Sequence, residues 1–156
     1  MKPSWYSLYN LILALWVGGM AIFTFLVTPA VFRSFGRDTA STIVDRLFPG
    51  YFLYIFVLAI LAFIVFFMVA GDQYKPAARL SFALLLAAII INTYVAFKLH
   101  PDTLRVKRQV TSFESESPDS PARRQFARLH GLAASLNLLV FADGVVLLLI
   151  SPALKK

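Results

Sequence analysis

No cysteine occurs in this chain of 156 residues. Disulfides, thiol nucleophiles and cysteine-held metal or iron–sulfur centres are therefore excluded together, and the redox compartment is left unread. Charge is scarce, at 15% of residues, and is missing altogether from Pro3–Phe32, Leu47–Gly71 and Leu80–Phe97. Histidine stops at two, His100 and His130. No G-x-S-x-G, H-E-x-x-H, P-loop or G-x-G-x-x-G pattern appears, so the usual hydrolase and nucleotide signatures are missing. Gly18-Gly19 is a packing feature rather than a phosphate loop. No internal repeat is apparent.

Apolar length is what the chain has in abundance. It is 59% hydrophobic, contains 15 phenylalanines and has a mean hydropathy of +0.73. Besides the three uncharged stretches, Leu129–Leu154 carries a single charge, Asp143. About 20 apolar residues in a helix cross a hydrocarbon core of about 30 Å. Four spans are predicted, at about residues 7–29, 50–70, 79–99 and 130–150, within one domain. The expected fold class is all-α: an integral membrane antiparallel four-helix bundle. The first span is too long, and too weakly basic at its front, for a cleaved signal, so it is expected to stay as an anchor.

Orientation follows from the basic residues. Of the 15 Lys and Arg, ten fall in the loops after spans one and three, and five (Lys2, Lys75, Arg79, Lys155, Lys156) at the other face. The positive-inside rule then places loops one and three in the cytoplasm and both termini outside, in a bacterial inner membrane. The same membrane setting explains the net charge of +7 without a nucleic-acid partner. Trp5, Tyr6 and Tyr9 fit an interfacial aromatic belt.

The connections differ. Ala40, Ile43, Val44 and Leu47 recur at helical spacing, which predicts a short amphipathic interfacial helix in loop one, ended by Pro49-Gly50. Loop two, residues 71–78, reads as a tight turn. Residues 109–121 of loop three, with TSFESESPDSP at their core, are polar, acidic and Pro-interrupted, and predict a mobile linker. The basic runs flanking it are expected to continue spans three and four as helix.

Within the spans, polar and small residues fall in stripes. Span one groups Asn10, Ala14, Ala21, Thr24 and Thr28, with Gly18 beside them. Span three groups Ser81, Ala88, Asn92 and Ala96. Span four groups His130, Ala134, Asn137, Phe141 and Gly144, next to the ladder Ala127, Gly131, Ser135. Polar side chains facing lipid are costly, so these stripes should face one another, leaving span two mostly to lipid. By depth, Asn92 and Asn137 both lie about 10 Å below the inner surface and could pair. Asp143 lies about 10 Å below the outer surface, within reach of Arg79. An intramembrane carboxylate is either a register-fixing contact or a functional group such as a proton relay. His100 and His130 sit at one surface, as helix-end hydrogen-bonding residues or as ligands that could sandwich a haem.

Three segments carry a family resemblance. They are DRLFPGYF (Asp45–Phe52), FARLHGLAASLNLL (Phe126–Leu139), and Trp16-x-Gly18 followed by FTFLVTPAVFR. Together they resemble the transmembrane protein 205-like family, also catalogued as domain of unknown function 4149. The resemblance implies a small four-span protein of unassigned chemistry, associated among its eukaryotic relatives with secretory-route membranes and platinum-drug resistance. It marks Arg46, Leu47, Phe48, Pro49, Tyr51, His130, Gly131 and Asn137 as a motif at the cytoplasmic face, forming either a pocket or a packing seat. Ala134 stands near a family serine. A second resemblance, to HemJ-type protoporphyrinogen oxidases, rests on the first span and on Arg79-Leu80-Ser81-Phe82, but this chain has no first-span histidine.

The expected function is thus binding, export or scaffolding through that motif, without a cofactor and leaning away from enzymatic activity. The alternative is a haem- or porphyrin-handling oxidoreductase using His100 or His130. The expected partners are the bilayer and a second copy or a larger membrane complex.

Overall fold

The computed structural model describes residues 4–70 and 75–154. The turn expected in loop two falls largely on 71–74, outside the described residues. Among the described residues four long helices make up the fold: α1 (Trp5–Ser34), α2 (Arg37–Val69), α3 (Pro76–Lys107) and α4 (Pro121–Leu154, its last turn Ser151–Leu154 tightened to 3-10 geometry). Each is long and apolar enough to cross a bilayer, and the protein is an integral membrane bundle of four helices.

Local chemistry explains the starts. The Ser4 hydroxyl accepts from the Ser7 amide at α1, and the Ser120 hydroxyl accepts from the Arg123 amide at α4. Each satisfies an amide that the first turn leaves without a partner. Pro76 and Pro121 occupy first helical positions, where a missing N–H costs nothing.

Every helix carries a proline toward the end where loops one and three lie, termed here the basic end. Pro29 and Pro101 each follow a short π-helical segment, Ile22–Val27 and Val95–Leu99. There the Thr28 amide donates to the Phe23 carbonyl, and the His100 amide to the Val95 carbonyl, each five residues back. The widened turn adjoins a residue that lacks a donor and whose ring crowds the carbonyl four residues back, so the helix passes through proline unbroken.

Pro49 corrects the sequence reading in the same way. It lies inside α2, which runs without interruption from Arg37 to Val69. The amphipathic segment of loop one is helical, but it is the first third of α2 rather than a separate interfacial helix. Only the Asp45 carbonyl loses its usual donor, and the following turns carry the helix on. Helical continuation of spans three and four beyond the apolar stretch is as expected, to Lys107 and from Pro121.

Two packing expectations are also corrected. α2 is the most enclosed span, not the most lipid-facing: Tyr51, Ile55, Leu58, Ala59, Ala62, Val65, Phe66 and Val69 are buried. Lipid tails are as apolar as leucine, so burial in a bundle follows shape rather than polarity. Ala59 and Ala62 let neighbouring backbones approach, a signal that a search for polar stripes passes over. The buried face of α1 is Tyr9, Leu13, Trp16 and Met20, rather than the expected stripe, of which Ala14 is exposed. That stripe lies at the margin of the buried face, where Asn10 accepts from Ser151 at 2.7 Å. On α3 the expected face does turn inward, with Ser81, Ala88 and Asn92 buried. On α4 the ladder Ala127, Gly131 and Ser135 faces outward.

Gly19 is a position of close approach. A Cβ there would overlap the Tyr54 ring, whose hydroxyl donates to the Leu15 carbonyl at 2.7 Å. Gly144 plays the same part between α4 and α1, where a Cβ would stand 2.9 Å from the Val17 methyl and 3.8 Å from the Trp16 ring.

Candidate functional site

At the basic end the four helices part around a cavity of about 360 Å³. Its lining obeys one rule on every helix. α2 contributes Ser41, Val44, Asp45, Phe48, Tyr51 and Phe52. α4 contributes His130, Ala133, Ala134 and Asn137, and α3 His100, Thr103 and Leu104. α1 contributes Phe23, Thr24, Thr28 and Phe32. These spacings of three and four residues place each set on one helical face.

The rule sorts the motif residues predicted from sequence. Phe48, Tyr51, His100, His130 and Asn137 come together on the cavity wall. Arg46, Pro49 and Gly131 do not: each sits one or two residues off a lining position and so turns to another face. Arg46 is exposed beside a separate shallow groove with Asp38, Thr39 and Thr42. Gly131 has open space where a Cβ would stand.

Polar contacts at the inner wall join three helices. The Tyr51 hydroxyl donates to Asn137 Oδ1 at 2.6 Å, and Asn137 Nδ2 donates to Thr24 Oγ1 at 3.1 Å. Asn137 therefore pairs with α2 and α1, not with Asn92 as depth had suggested. The Tyr51 ring stacks on Phe23 with centroids 4.1 Å apart. Phe48 and Phe52 stack at 5.3 Å, and His100 meets both edge-on at 5.4 and 5.2 Å. His130 stacks on Phe126 at 5.6 Å. Neither imidazole hydrogen-bonds to a described residue, so all four ring nitrogens remain available.

Charge at the mouth is balanced locally. Asp45 forms an ion pair with Lys107, joining α2 to α3, and Arg37 lines the rim. Loop three closes over this end. Composition predicts a mobile linker at 109–121, yet the structure holds it by named contacts. Asp38 accepts from the Ser112 hydroxyl and the Phe113 amide, both at 2.6 Å. Phe113 then packs edge-on against Phe126 at 4.9 Å and lies under the Arg123 guanidinium. Glu116 is tied by the Ser120 hydroxyl and the Thr111 amide, and these bonds hold its carboxyl below the usual carboxylate range. The loop lacks apolar content, and one acid at the start of α2 substitutes for it.

The intramembrane polar residues behave differently. Asn10 bonds Ser151, whereas Asn92 Nδ2 and Asp143 Oδ1 are buried without partners. Arg79 and Asp143 do not form the expected ion pair among the described residues. Arg79 lies exposed in the first turn of α3 and Asp143 buried about three turns from the end of α4, so similar depth does not bring the two side chains onto facing sides. No group of three or more His, Asp or Glu side chains among the described residues could hold a metal ion.

With this geometry described, comparison with known proteins is informative in one respect. Residues 11–112 match the family described as Domain of unknown function (DUF4149). The chain belongs to this family. The matched region takes in α1, α2 and α3 and ends before α4, so His130 and Asn137 join the site through this chain's own geometry. No curated protein and no solved structure matches.

Sequence reasoning missed Phe23, Phe52, Asp45, Phe113 and Phe126 as wall residues. The signal for Phe52 and Asp45 was present in the three-and-four spacing around Phe48. Phe126 stands four residues before His130 on α4 and shares that signal, whereas for Phe113 nothing local marks the fold of loop three onto the helices.

Proposed function

We propose that this protein binds an amphipathic small molecule in the basic-end cavity, as a binding or export module rather than an enzyme. The observation that carries this reading is the cavity wall itself. Phenylalanine rings surround a space within the usual range of ligand sites, about 300–1,000 Å³, and two unengaged imidazoles and the Tyr51–Asn137–Thr24 cluster supply convergent polar groups. An apolar or aromatic body would pack on Phe48, Phe52 and Phe126, with a hydrogen-bonding head toward the histidines. Nothing among these residues forms a nucleophile–base pair.

The excess of Lys and Arg at this end supports a cytoplasmic opening in a bacterial inner membrane. The resemblance to the transmembrane protein 205-like family supports export over catalysis. The outward ladder Ala127, Gly131, Ser135 supports a second copy or a larger membrane complex as partner.

The test is to extract purified protein and identify by mass spectrometry what it carries. Wild type and Arg46→Ala are expected to retain an amphipathic molecule that Ala133→Trp, which fills the cavity, has lost. Identical extracts from all three would remove the cavity as a binding site.

A second reading is favoured by one observation: His100 and His130 line the same cavity. Two imidazoles on different helices fit axial ligation of a haem, in line with the HemJ-type resemblance. A colourless preparation, with no absorbance in the haem Soret region after haem is supplied, ends that reading.

A further inference from the structure

Among the described residues, four buried side-chain atoms lack a hydrogen-bond partner: the Tyr9 and Ser81 hydroxyls, Asn92 Nδ2 and Asp143 Oδ1. None of these residues lines the cavity. The carboxyl is the informative one. Asp143 is 9% exposed and lies on α4 six residues beyond Asn137, about 9 Å deeper into the bundle. It makes no hydrogen bond or ion pair with a described residue.

The helices packed on α4 bring it no charge. α1 presents Tyr9 on its buried face, together with Trp16 and Val17 against neighbouring Gly144. α3 presents Ser81 and Asn92 on its buried face; its titratable Arg79 and Tyr94 are exposed, and its remaining charged groups lie at the basic end from Lys98 onward. An ionised carboxylate here would exchange its hydration for neutral dipoles alone, which disfavours the charged form. Binding a proton removes that charge.

We propose that Asp143 is an intramembrane proton-binding site. The carboxylate takes one proton from the aqueous phase and becomes the neutral acid; no other bond forms or breaks. Tyr9 on α1 and Ser81 and Asn92 on α3 are uncharged, so the buried faces packed on α4 supply polarity without a compensating charge. This site is separate from the cavity, and failure of either reading leaves the other standing.

The experiment uses the full chain in lipid nanodiscs, treated with dicyclohexylcarbodiimide, an apolar reagent for un-ionised carboxyl groups out of water. Of the 8 acidic residues, Asp143 alone is expected to carry the adduct at about pH 7. Asp143→Asn should escape modification and keep the wild-type melting temperature, since the amide copies the neutral acid. In wild-type protein the infrared spectrum should show the carbonyl stretch of an un-ionised acid, shifted by isotope-labelled aspartate. That measurement requires neither variant nor reagent. Absence of the band at about pH 7 would overturn the proposal. So would suppression of the adduct by sodium ions, which would make the site one for a metal cation.

Discussion

The two ends of the bundle use polar residues in opposite ways. At the basic end Tyr51, Asn137 and Thr24 are hydrogen-bonded to one another, and they border a cavity. Toward the other end Tyr9, Ser81 and Asp143 are buried without partners, in a core filled by Leu13, Trp16 and Leu85. Pro29, Pro49 and Pro101 and the π-helical turns lie toward the first end, and Gly144 meets α1 closely toward the second. A bundle in lipid has no hydrophobic force holding its helices together, so it coheres where shapes interlock and opens where they do not. The lesson is that polar groups at the cavity are joined into one cluster across three helices, whereas away from it several buried ones have no partner, Asn10 and Ser151 being bonded to each other.

The sharpest way to break the contrast is to disturb the dense end. Gly144→Leu would push against Val17 and Trp16 and separate α4 from α1. A loss of about 2–3 kcal/mol is expected, seen as a large fall in melting temperature and in expressed, folded protein. A wild-type melting curve would mean that the α1–α4 interface is looser than described.

Asn137→Leu keeps roughly the volume but removes both hydrogen bonds at the cavity wall. Stability should fall by about 1 kcal/mol, because polar contacts in membranes are individually weak, while the carried small molecule is lost. A carried molecule unchanged in identity and amount would separate the polar cluster from binding.

Asp38→Ala should free loop three while leaving the spans intact. Faster hydrogen exchange is expected at the Phe113 amide, which Asp38 now holds, with the overall melting temperature changed little. Arg46→Ala, on an exposed face, should change stability by less than about 0.5 kcal/mol and leave binding as it was.

The smallest effect concerns pH. Hydrogen bonds to Glu116 lower its carboxyl below the ordinary value of 4.5. Its contribution to loop order is therefore complete above that value and is lost as pH falls through the lower, folded one. Proteolysis within 111–116 should accelerate only in that acid range. Acceleration beginning near neutrality would point to a different titrating group.

The four spans were legible in the sequence because the bilayer fixes their length and forbids charge along it. The three-and-four spacing of Phe48, Tyr51 and Phe52, and of His130 and Asn137, was also present, and Phe48, Tyr51, His100, His130 and Asn137 were read from the sequence as site residues that line the cavity. Pro49 misled because a proline signals a break in isolation, yet the turns on both sides of it are secured by packing. The burial of α2 was not legible: in lipid an all-apolar helix has no pattern that distinguishes a core position from an outward one. The Asp143–Arg79 pairing failed for a related reason, since depth along a helix says nothing about its rotation. The order in loop three depends on Asp38, some 74 residues away from Ser112, a separation that no local pattern reports.

Because the chain has no cysteine, single cysteines can report the cavity directly. Thr24 lines it, while Leu26, two residues along the same helix, faces outward at 64% exposure. In nanodiscs Thr24→Cys should react with a charged, water-soluble maleimide and be protected by whatever molecule the protein carries, whereas Leu26→Cys should stay unmodified in the lipid. Equal reactivity at the two positions, or none at Thr24→Cys, would contradict a solvent-reached binding cavity between these helices.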